Sequence, residues 1–357
     1  MATLYVASTE TFVGKSAVCM ALLLRMRRDG FRVGYLKPVS VSVTHTPNAV
    51  LDEDASYIRT TLQLDTPIEQ IAPVLITPGV VDSILRGQAP SFTRRLQEAY
   101  LAASREKDVM VLEGTNTWAE GALVELSADQ VTDLLDAPGL LISRYRGTLA
   151  VDTILSVQRY VGDRLLGVML NQVDESHLEF VQSRVVPFLE SRGIAVMGVM
   201  PHDRLLGGVM VEEFLDHLGG QLLGNRAWCD RMVDSLMVGA MGADTGLSFF
   251  RRRANKAVIT GGDRADLQLA ALETSTSVLI LTGNVRPTMR VIDKAEERQV
   301  PIIVVSDDTL TTIERSEKLF GRISFHHTAR LQRFTELMDV HFQYGRLYEA
   351  LGMSGKA

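Results

Sequence analysis

The feature that most constrains the fold of this chain is an apolar segment near its start that runs directly into a glycine, a lysine and a serine. Residues 4–7 read L-Y-V-A, as a buried strand would, and residues 8–16 read S-T-E-T-F-V-G-K-S. Apolar residues then recur at helical spacing through residues 16–28, and Gly30 marks the end of that helix. A strand, a glycine-containing loop and a helix in this order predict a phosphate-binding loop.

The residue types of this loop each have a chemical use. Gly14 permits the backbone to approach a phosphate closely, and Lys15 would neutralise the β- and γ-phosphates. The hydroxyl of Ser16 would be a ligand of Mg²⁺. The plain alternative is a G-K-S triplet that occurs by chance at a helix start. The context of strand, loop and helix favours a functional site for phosphates and Mg²⁺.

Apolar, β-rich runs alternate with helical patterns along the rest of the chain, which predicts an α/β fold with helices on both faces of a parallel sheet. The alternation starts again after Gly207 and Gly208. We therefore predict a nucleotide-binding domain at residues 1–204 and a smaller α/β domain, with a C-terminal helical segment, at residues 205–357. The predicted strands are residues 4–7, 33–37, 109–112, 140–143, 165–170, 196–199, 236–241, 257–260, 278–281 and 302–305.

The composition excludes several classes of protein. The formal net charge of −6 argues against a general nucleic-acid binder. No apolar run reaches the roughly 18 residues that a membrane span requires, and the N-terminus lacks a leader pattern. Cys19 and Cys229 lie far apart, so a disulfide framework is not expected. These observations predict a cytoplasmic protein without a membrane or nucleic-acid partner.

The phosphate loop resembles that of dethiobiotin synthetases, which reads G-T-D-T-x-V-G-K-T. The resemblance extends to K-P-V after the second predicted strand, where Lys37 would be a second cation beside the phosphates. It also extends to D-E-D-A and V-L-E-G, where Asp54 and Glu113 would bind Mg²⁺ together with Ser16. In G-V-M-L-N-Q-V, Asn171 would read the adenine edge. The loop positions implied to bind nucleotide, besides Asn171, are Thr9, Glu10, Val13, Gly14, Lys15 and Ser16.

Plain structural roles remain open for several of these residues. Lys37 could be a solvated lysine at a strand end, Asp54 a helix N-cap, and Asn171 a turn residue. Glu113 is harder to explain in this way, because it ends an apolar strand at the edge where parallel sheets bind ligands. In an enzyme, the catalytic groups implied by the resemblance would be Lys15, Lys37 and Thr11.

Residues 257–266 read A-V-I-T-G-G-D-R-A-D, and with residues 279–283 and 301–308 they resemble the DRTGG domain. That domain follows a dethiobiotin-synthetase-like domain in the N-terminal part of long bacterial phosphotransacetylases. The resemblance implies a regulatory role, and the short remaining chain implies no phosphotransacetylase activity. We predict that Asp263 caps the next helix. The turns that follow the predicted strands at residues 257–260 and 278–281 could form an effector site, or they could be tight turns without a ligand. The candidate effector residues are Gly261, Gly262, Asp263, Arg264, Asn284 and Arg286.

Three functions remain open at this point. The first is a regulatory protein that binds MgATP, with slow hydrolysis at most, and acts on the second domain or on a partner protein. The second is an ATP-dependent ligase or carboxylase of the dethiobiotin synthetase kind. The third is a degenerate scaffold that binds no nucleotide, for which Ser8 in place of the usual glycine is the main support. The resemblance also implies a homodimer.

Overall fold

The computed structural model describes residues 1–41, 44–45, 50–88, 90–321 and 328–353. The chain divides into two compact units. One comprises Met1–His202 together with Ser324–Ala357, and the other comprises Asp203–Ile323.

The first unit is built on a sheet of six parallel strands. Its central strands are buried except for Ala2 and Arg144 at their ends, as their largely apolar sequences predict for a sheet that is covered on both faces. Because all six strands run the same way, their carboxyl ends lie at one edge. In spatial order the strands are Val196–Pro201, Leu165–Val173, Gly139–Arg144, Ala2–Ser8, Val109–Glu113 and Val33–Leu36.

Helices cover this sheet. The first of them, Lys15–Arg28, places eight buried residues against the core and ends before Gly30, whose φ of 88° suits glycine. The helix Glu175–Phe180 continues through a π-helical turn at Val181–Val185 into Val186–Ser191. Short strands also pair, Val39–Ser40 with Val74–Leu75 and Thr44–His45 with Val50–Leu51. The other helices before residue 203 are Glu53–Thr61, Ile68–Ile71, Pro78–Leu85, Phe92–Ala103, Ala128–Leu134 and Thr148–Val161.

The C-terminal helices Thr328–His341 and Tyr344–Ala350 belong to the first unit, so the prediction that they join the second domain was wrong. The backbone N–H of Gln343 donates to the carbonyl of Met197 at 2.7 Å. The Asp339 carboxylate accepts hydrogen bonds from two arginines of the first helix, Arg25 and Arg28. These contacts join residues more than 140 positions apart, which a reading along the chain does not detect.

The second unit has its own five-stranded sheet. Four strands run parallel, and Gln221–Leu223 pairs antiparallel at one edge. The strand order is Gln221–Leu223, Ile302–Val304, Thr276–Thr282, Lys256–Gly261 and Ser235–Val238. A short antiparallel pair joins Val209–Met210 to Met232–Val233. The helices of this unit are Arg204–Gly207, Val211–Leu218, Ala243–Phe250, Ala265–Leu272, Met289–Glu297 and Thr309–Gly321.

The two sheets confirm the predicted fold class, a parallel sheet flanked by helices followed by a smaller α/β domain. Among the described helices, none combines the length and the apolar character needed to cross a bilayer.

Candidate nucleotide and metal site

The phosphate loop joins the strand Ala2–Ser8 to the helix that begins at Lys15. Gly14 adopts the left-handed conformation, with φ 86° and ψ 23°, and Phe12 has a φ of 60°. Ser8, by contrast, is still part of the strand, and its hydroxyl donates to the backbone carbonyl of Asn116 at 2.8 Å. The conformation that favours glycine is therefore needed at position 14 and not at position 8. Serine at position 8 gives no physical reason to expect a distorted loop.

Three residues that were predicted to bind Mg²⁺ lie together at the carboxyl edge of the sheet. The hydroxyl oxygen of Ser16 lies 2.7 Å from Glu113 Oε1 and 2.9 Å from Asp54 Oδ2. Each residue comes from a different element: the start of the first helix, the end of the strand Val109–Glu113, and the first turn of the helix Glu53–Thr61. Glu113 is almost fully buried, whereas the Asp54 side chain is 37% exposed.

Lys37 lies in the same cluster because of strand register. Leu36 pairs with Leu112, so the residues that follow, Lys37 and Glu113, lie side by side at the carboxyl ends of their strands. The Lys37 ammonium lies 2.8 Å from Asp52, 3.6 Å from Glu113 Oε1 and 4.0 Å from Asp54. Only 8% of its side chain is exposed, which rules out a solvated lysine.

The charge of Lys37 follows from these neighbours. Burial by itself disfavours the charged ammonium, but the carboxylates of Glu113, Asp52 and Asp54 outweigh it and raise the pKa of Lys37 above its ordinary value. Lys37 is therefore a fixed positive charge beside the acidic groups.

The sequence interpretation missed two residues of this cluster. Asp52 caps the helix Glu53–Thr61: its Oδ1 accepts from the N–H of Ala55 at 2.8 Å, while the Oδ2 faces Lys37 and the hydroxyl of Ser40. The capping role considered for Asp54 thus belongs to Asp52. The hydroxyl of Tyr35 donates to Glu113 Oε2 at 2.7 Å. The first acid of D-E-D was a visible N-cap signal for Asp52.

The remaining residues of the phosphate loop differ in their burial and in their hydrogen bonds. The Lys15 side chain is half-buried, and within the described part of the chain it has no hydrogen-bond or ion-pair partner. The N–H of Thr9 donates to the carbonyl of Ile142, and Val13 is buried. Glu10 is half-buried and Thr11 is exposed. Lys15 is thus the cation of the loop that remains available to a ligand.

Asn171 supports the phosphate loop from the end of a neighbouring strand. Its Nδ2 donates to the carbonyl of Val13 at 2.7 Å, and its Oδ1 accepts from the N–H of Gln172 at 2.9 Å. The side chain is buried and belongs to the strand Leu165–Val173, so Asn171 is not a turn residue, and recognition of adenine stays a prediction. Arg144, which the sequence interpretation gave no role in the site, donates to the carbonyl of Phe12 at 3.0 Å. The two side chains fix the loop backbone between Phe12 and Val13.

The donor set fits a hard cation. Ser16, Asp54 and Glu113 offer only oxygen atoms, which Mg²⁺ prefers, and Mg²⁺ commonly takes one or two carboxylates and completes its shell with water and phosphate oxygens. Among the residues that the structure describes, no three His, Cys, Asp or Glu side chains could hold a metal by themselves.

The predicted effector turn of the second unit is arranged differently. The helix begins at Ala265 after Arg264, and the Asp263 side chain makes no capping hydrogen bond, so the predicted cap was wrong. The Arg264 guanidinium binds the Asp266 carboxylate and the carbonyl of Met241. The side-chain amide of the buried Gln268 donates to the carbonyls of Gly261 and Gly262.

The two turns of this edge contact each other. A Cβ atom on Gly262 would lie 2.2 Å from the carbonyl oxygen of Val285, so only glycine fits there. Asn284 has a φ of 56° and donates its N–H to Val305, while Arg286 donates to the side chain of Gln221. Close packing between the two turns explains why glycine stands at position 262. Binding of an effector at these residues stays a prediction.

The fold and the site together define the first unit as a P-loop nucleotide-binding domain of the dethiobiotin synthetase type. A family model described as AAA domain matches residues 2–209, and the chain belongs to this family. A DRTGG domain model matches residues 213–319. Both matches confirm the resemblances seen in the sequence.

The chain is similar to phosphate acetyltransferases and to dethiobiotin synthetases. It is 26% identical to a phosphate acetyltransferase of Nitratidesulfovibrio vulgaris over 378 residues, which cover 96% of this chain and 51% of that protein. It is 24% identical to an ATP-dependent dethiobiotin synthetase of Aromatoleum aromaticum over 208 residues, 56% of this chain and 89% of that protein. The chain spans about half the length of the phosphate acetyltransferases that it matches.

A solved structure with a DRTGG domain also matches. It contains the CBS and DRTGG domains of the regulatory region of a Clostridium perfringens pyrophosphatase, complexed with diadenosine tetraphosphate. The identity is 19%, the match covers 48% of this chain and 69% of that chain, and the TM-score is 0.28. A TM-score this low carries no inference about function.

Proposed function

We propose that this protein binds MgATP in its first unit and serves as a nucleotide-dependent regulatory protein. The observation that carries the proposal is the convergence of Ser16, Asp54, Glu113 and Lys37 at the carboxyl edge of the sheet. Beside them lies Lys15, whose side chain has no hydrogen-bond or ion-pair partner among the described residues. A polyphosphate needs cations, and a metal bound to it needs oxygen ligands. Both are present within one cluster whose members come from four segments of the chain.

Each group has a distinct role in this proposal. Lys15 neutralises the phosphates, and the backbone from Val13 to Ser16 approaches them at the N-terminus of a helix. Ser16, Asp54 and Glu113 hold Mg²⁺, which supplies positive charge at the phosphate oxygens when it is bound. Lys37 adds a fixed positive charge beside the carboxylates. Asn171 and Arg144 keep the loop backbone in position.

The regulatory part of the proposal rests on the second unit. That unit matches the DRTGG domain, which the sequence resemblance associates with regulation, and this association is an analogy rather than a property of the site. We include in the proposal a homodimer in the cytoplasm, as the resemblance implies. Light scattering on the purified chain checks the dimer.

The direct test is thermal stabilisation of the full chain by ATP and Mg²⁺. A ligand at 100 times its dissociation constant stabilises the folded state by about 2.7 kcal/mol, which raises the melting temperature by several degrees. We expect this shift in the wild type and in Lys107→Ala, a control that removes a lysine outside the site. We expect no shift in Lys15→Ala. Absence of any shift in the wild type would falsify the proposal.

A second variant separates the metal from the nucleotide. Ser16→Ala removes one oxygen ligand but leaves Lys15 and the loop backbone unchanged. We expect the wild type to bind ATP more tightly with Mg²⁺ than with EDTA, and Ser16→Ala to lose most of that difference. Ser191→Ala, on an exposed helix end, is the matched control. If Ser16→Ala keeps the full effect of Mg²⁺, these residues do not form the metal site.

A second candidate is an ATP-dependent ligase or carboxylase. Lys37 favours it, because a buried cation beside a phosphate site could also neutralise a carboxylate or carbamate that accepts a phosphoryl group. The segment after Pro38 lacks the expected S-G substrate signature, and parts of it, residues 42–43 and 46–49, lie outside the described residues. Phosphate release on adding amines with bicarbonate would support this enzyme, and no release across a broad panel would count against it.

A further inference from the structure

The second unit has a groove at the amino edge of its sheet. Its volume is about 500 Å³. The predicted effector turn follows Gly261 at the other end of the strand Lys256–Gly261, roughly 17 Å away by the rise of a strand. The groove is therefore a separate place on this unit. It is lined by Arg231, Met232, Asn255, Leu272, Thr274 and Ser275, and by Thr276, Ser277, Arg298 and Val300.

The charged residues in this lining are two arginines, and the lining contains no carboxylate. Arg298 is exposed, and among the described residues its guanidinium group has no hydrogen-bond or ion-pair partner. Arg231 makes one weak contact, at 3.4 Å, with the side chain of Gln299. Both guanidinium groups can therefore turn toward a ligand without breaking a strong bond.

A third cation lies behind the floor of the groove. Lys256 is fully buried, and its ammonium donates at 2.8 Å to Thr274 Oγ1 and at 2.8 Å to the carbonyl of Ser275. Both of these residues line the groove. In the described part of the chain no carboxylate pairs with Lys256, and burial lowers its pKa to about 8.

A buried ammonium without a counter-charge is unfavourable. A structure commonly offsets such a group with a nearby carboxylate, as Lys37 is offset in the first unit. At Lys256 the two residues that accept from the ammonium, Thr274 and Ser275, line the groove. An anion in the groove would supply the missing negative charge.

We propose that this groove binds a small phosphorylated metabolite, with its phosphate held between Arg231 and Arg298 over the buried Lys256. Guanidinium groups bind phosphate through paired N–H donors, which makes arginine better suited to this task than a lysine at the surface. The apolar side chains of Met232, Leu272 and Val300 would contact the body of the ligand. This site is independent of the proposed nucleotide site in the first unit.

Titration calorimetry on the full chain tests the proposal. The probes are inorganic phosphate, glycerol 3-phosphate and phenyl phosphate, each without Mg²⁺ or nucleotide. We expect the esters to bind the wild type more tightly than inorganic phosphate does. Equal or weaker binding of the esters would overturn the assignment to a metabolite, and no binding of any probe at millimolar concentration would overturn the site.

Variants locate the binding. The double variant Arg231→Gln, Arg298→Gln is expected to weaken ester binding at least tenfold, and Lys256→Met severalfold. Arg290→Gln is the matched control. Arg290 lies at the start of the helix Met289–Glu297, which Arg298 directly follows, and it does not line the groove. Melting curves of the variants show whether the fold is retained.

Lys15→Ala distinguishes this proposal from the nucleotide site. We expect it to lose the response to MgATP and to keep the binding of the esters. If Lys15→Ala loses ester binding while the double arginine variant keeps it, the esters bind in the first unit, and the groove site is overturned. The wild type can fail to respond to MgATP and still bind the esters, so the two proposals can fail separately.

Discussion

In each unit of this protein one lysine is buried among the residues whose side chains the structure describes, and the two lysines are stabilised in opposite ways. Lys37 follows the last residue of a strand in the first sheet and lies within 4.0 Å of three carboxylates. Lys256 is the first residue of a strand in the second sheet, and its ammonium donates to a hydroxyl and a carbonyl, with no carboxylate partner in the described part of the chain. Burial disfavours both charges, yet the pKa of Lys37 is raised while that of Lys256 is lowered to about 8.

The difference shows that burial of a cation does not by itself indicate its chemical role. Around Lys37 three carboxylates outnumber the single ammonium, and two of them, Asp54 and Glu113, are candidate metal ligands. The charge of Lys37 is therefore offset before any ligand binds, and the excess negative charge suits a cation. Around Lys256 no carboxylate of the described residues offsets the charge, and the protein bears an electrostatic cost that an anionic ligand could remove.

The largest effect is expected from Lys37→Met. This change leaves the buried carboxylates of Asp52 and Glu113 without their cation, which costs about 3–5 kcal/mol for a buried pair that loses one partner. We expect the free energy of unfolding of the first unit to fall by about that amount. Urea unfolding followed by the fluorescence of Trp118, in a Trp228→Phe background, measures it.

Lys107→Met is the control for this experiment and should stay within about 0.5 kcal/mol of the wild type. Added Mg²⁺ should stabilise Lys37→Met more than the wild type, because the carboxylates then lack their internal cation. An unchanged unfolding curve for Lys37→Met would show that the buried carboxylates do not depend on Lys37 for their stability.

A smaller effect, of opposite sign, is expected from Lys256→Met. The folded pKa of about 8 lies below the ordinary 10.5, so the unfolded chain binds the proton more tightly than the folded chain does. The cost of the buried charge is fully present below about pH 8 and disappears as the pH rises to about 10.5. We therefore expect Lys256→Met to be more stable than the wild type by about 2 kcal/mol at pH 7, and this advantage to shrink toward pH 10.

The measurement is urea unfolding at pH 7, 8, 9 and 10, followed by Trp228 in a Trp118→Phe background. Lys294→Met is a control, because its ammonium pairs with Glu297 near the surface. A stability difference between Lys256→Met and the wild type that does not change with pH would contradict the lowered pKa.

The smallest effect is expected from Thr274→Val, which removes one acceptor of the Lys256 ammonium. Its loss should cost about 1 kcal/mol at pH 7, where the lysine is charged, and less at pH 10. Thr276→Val is the matched control, because both hydroxyls donate to the carbonyl of Ala271 but only that of Thr274 accepts from Lys256. If the free energies of unfolding of the two variants depend on pH in the same way, the Thr274 hydroxyl does not stabilise the Lys256 ammonium.

Much of the fold could be predicted because strands and helices follow from local patterns. The predicted strand at residues 109–112 is found as Val109–Glu113, and that at residues 257–260 as Lys256–Gly261. The meeting of Ser16, Asp54 and Glu113 at one edge could also be anticipated, because parallel strands present their carboxyl ends together.

Other features depended on contacts between distant residues. Nothing near Asp52 in the sequence indicates that its second oxygen pairs with Lys37, and nothing near Arg144 indicates that it reaches the phosphate loop. The expected cap at Asp263 failed because the turn continues to Arg264 before the helix begins. The C-terminal helices were assigned to the wrong unit for the same reason, since sequence proximity does not decide packing.

The sequence by itself determined the phosphate loop, the strand that precedes it and the acidic residues at strand ends, because these depend on backbone conformation and on residue types a few positions apart. Only the tertiary structure decided which buried lysine has carboxylate partners and which has none. Charge balance depends on distances between residues remote in the chain, and only packing sets those distances. For that reason Lys37 was visible as a candidate from sequence, whereas Lys256 and its groove were not.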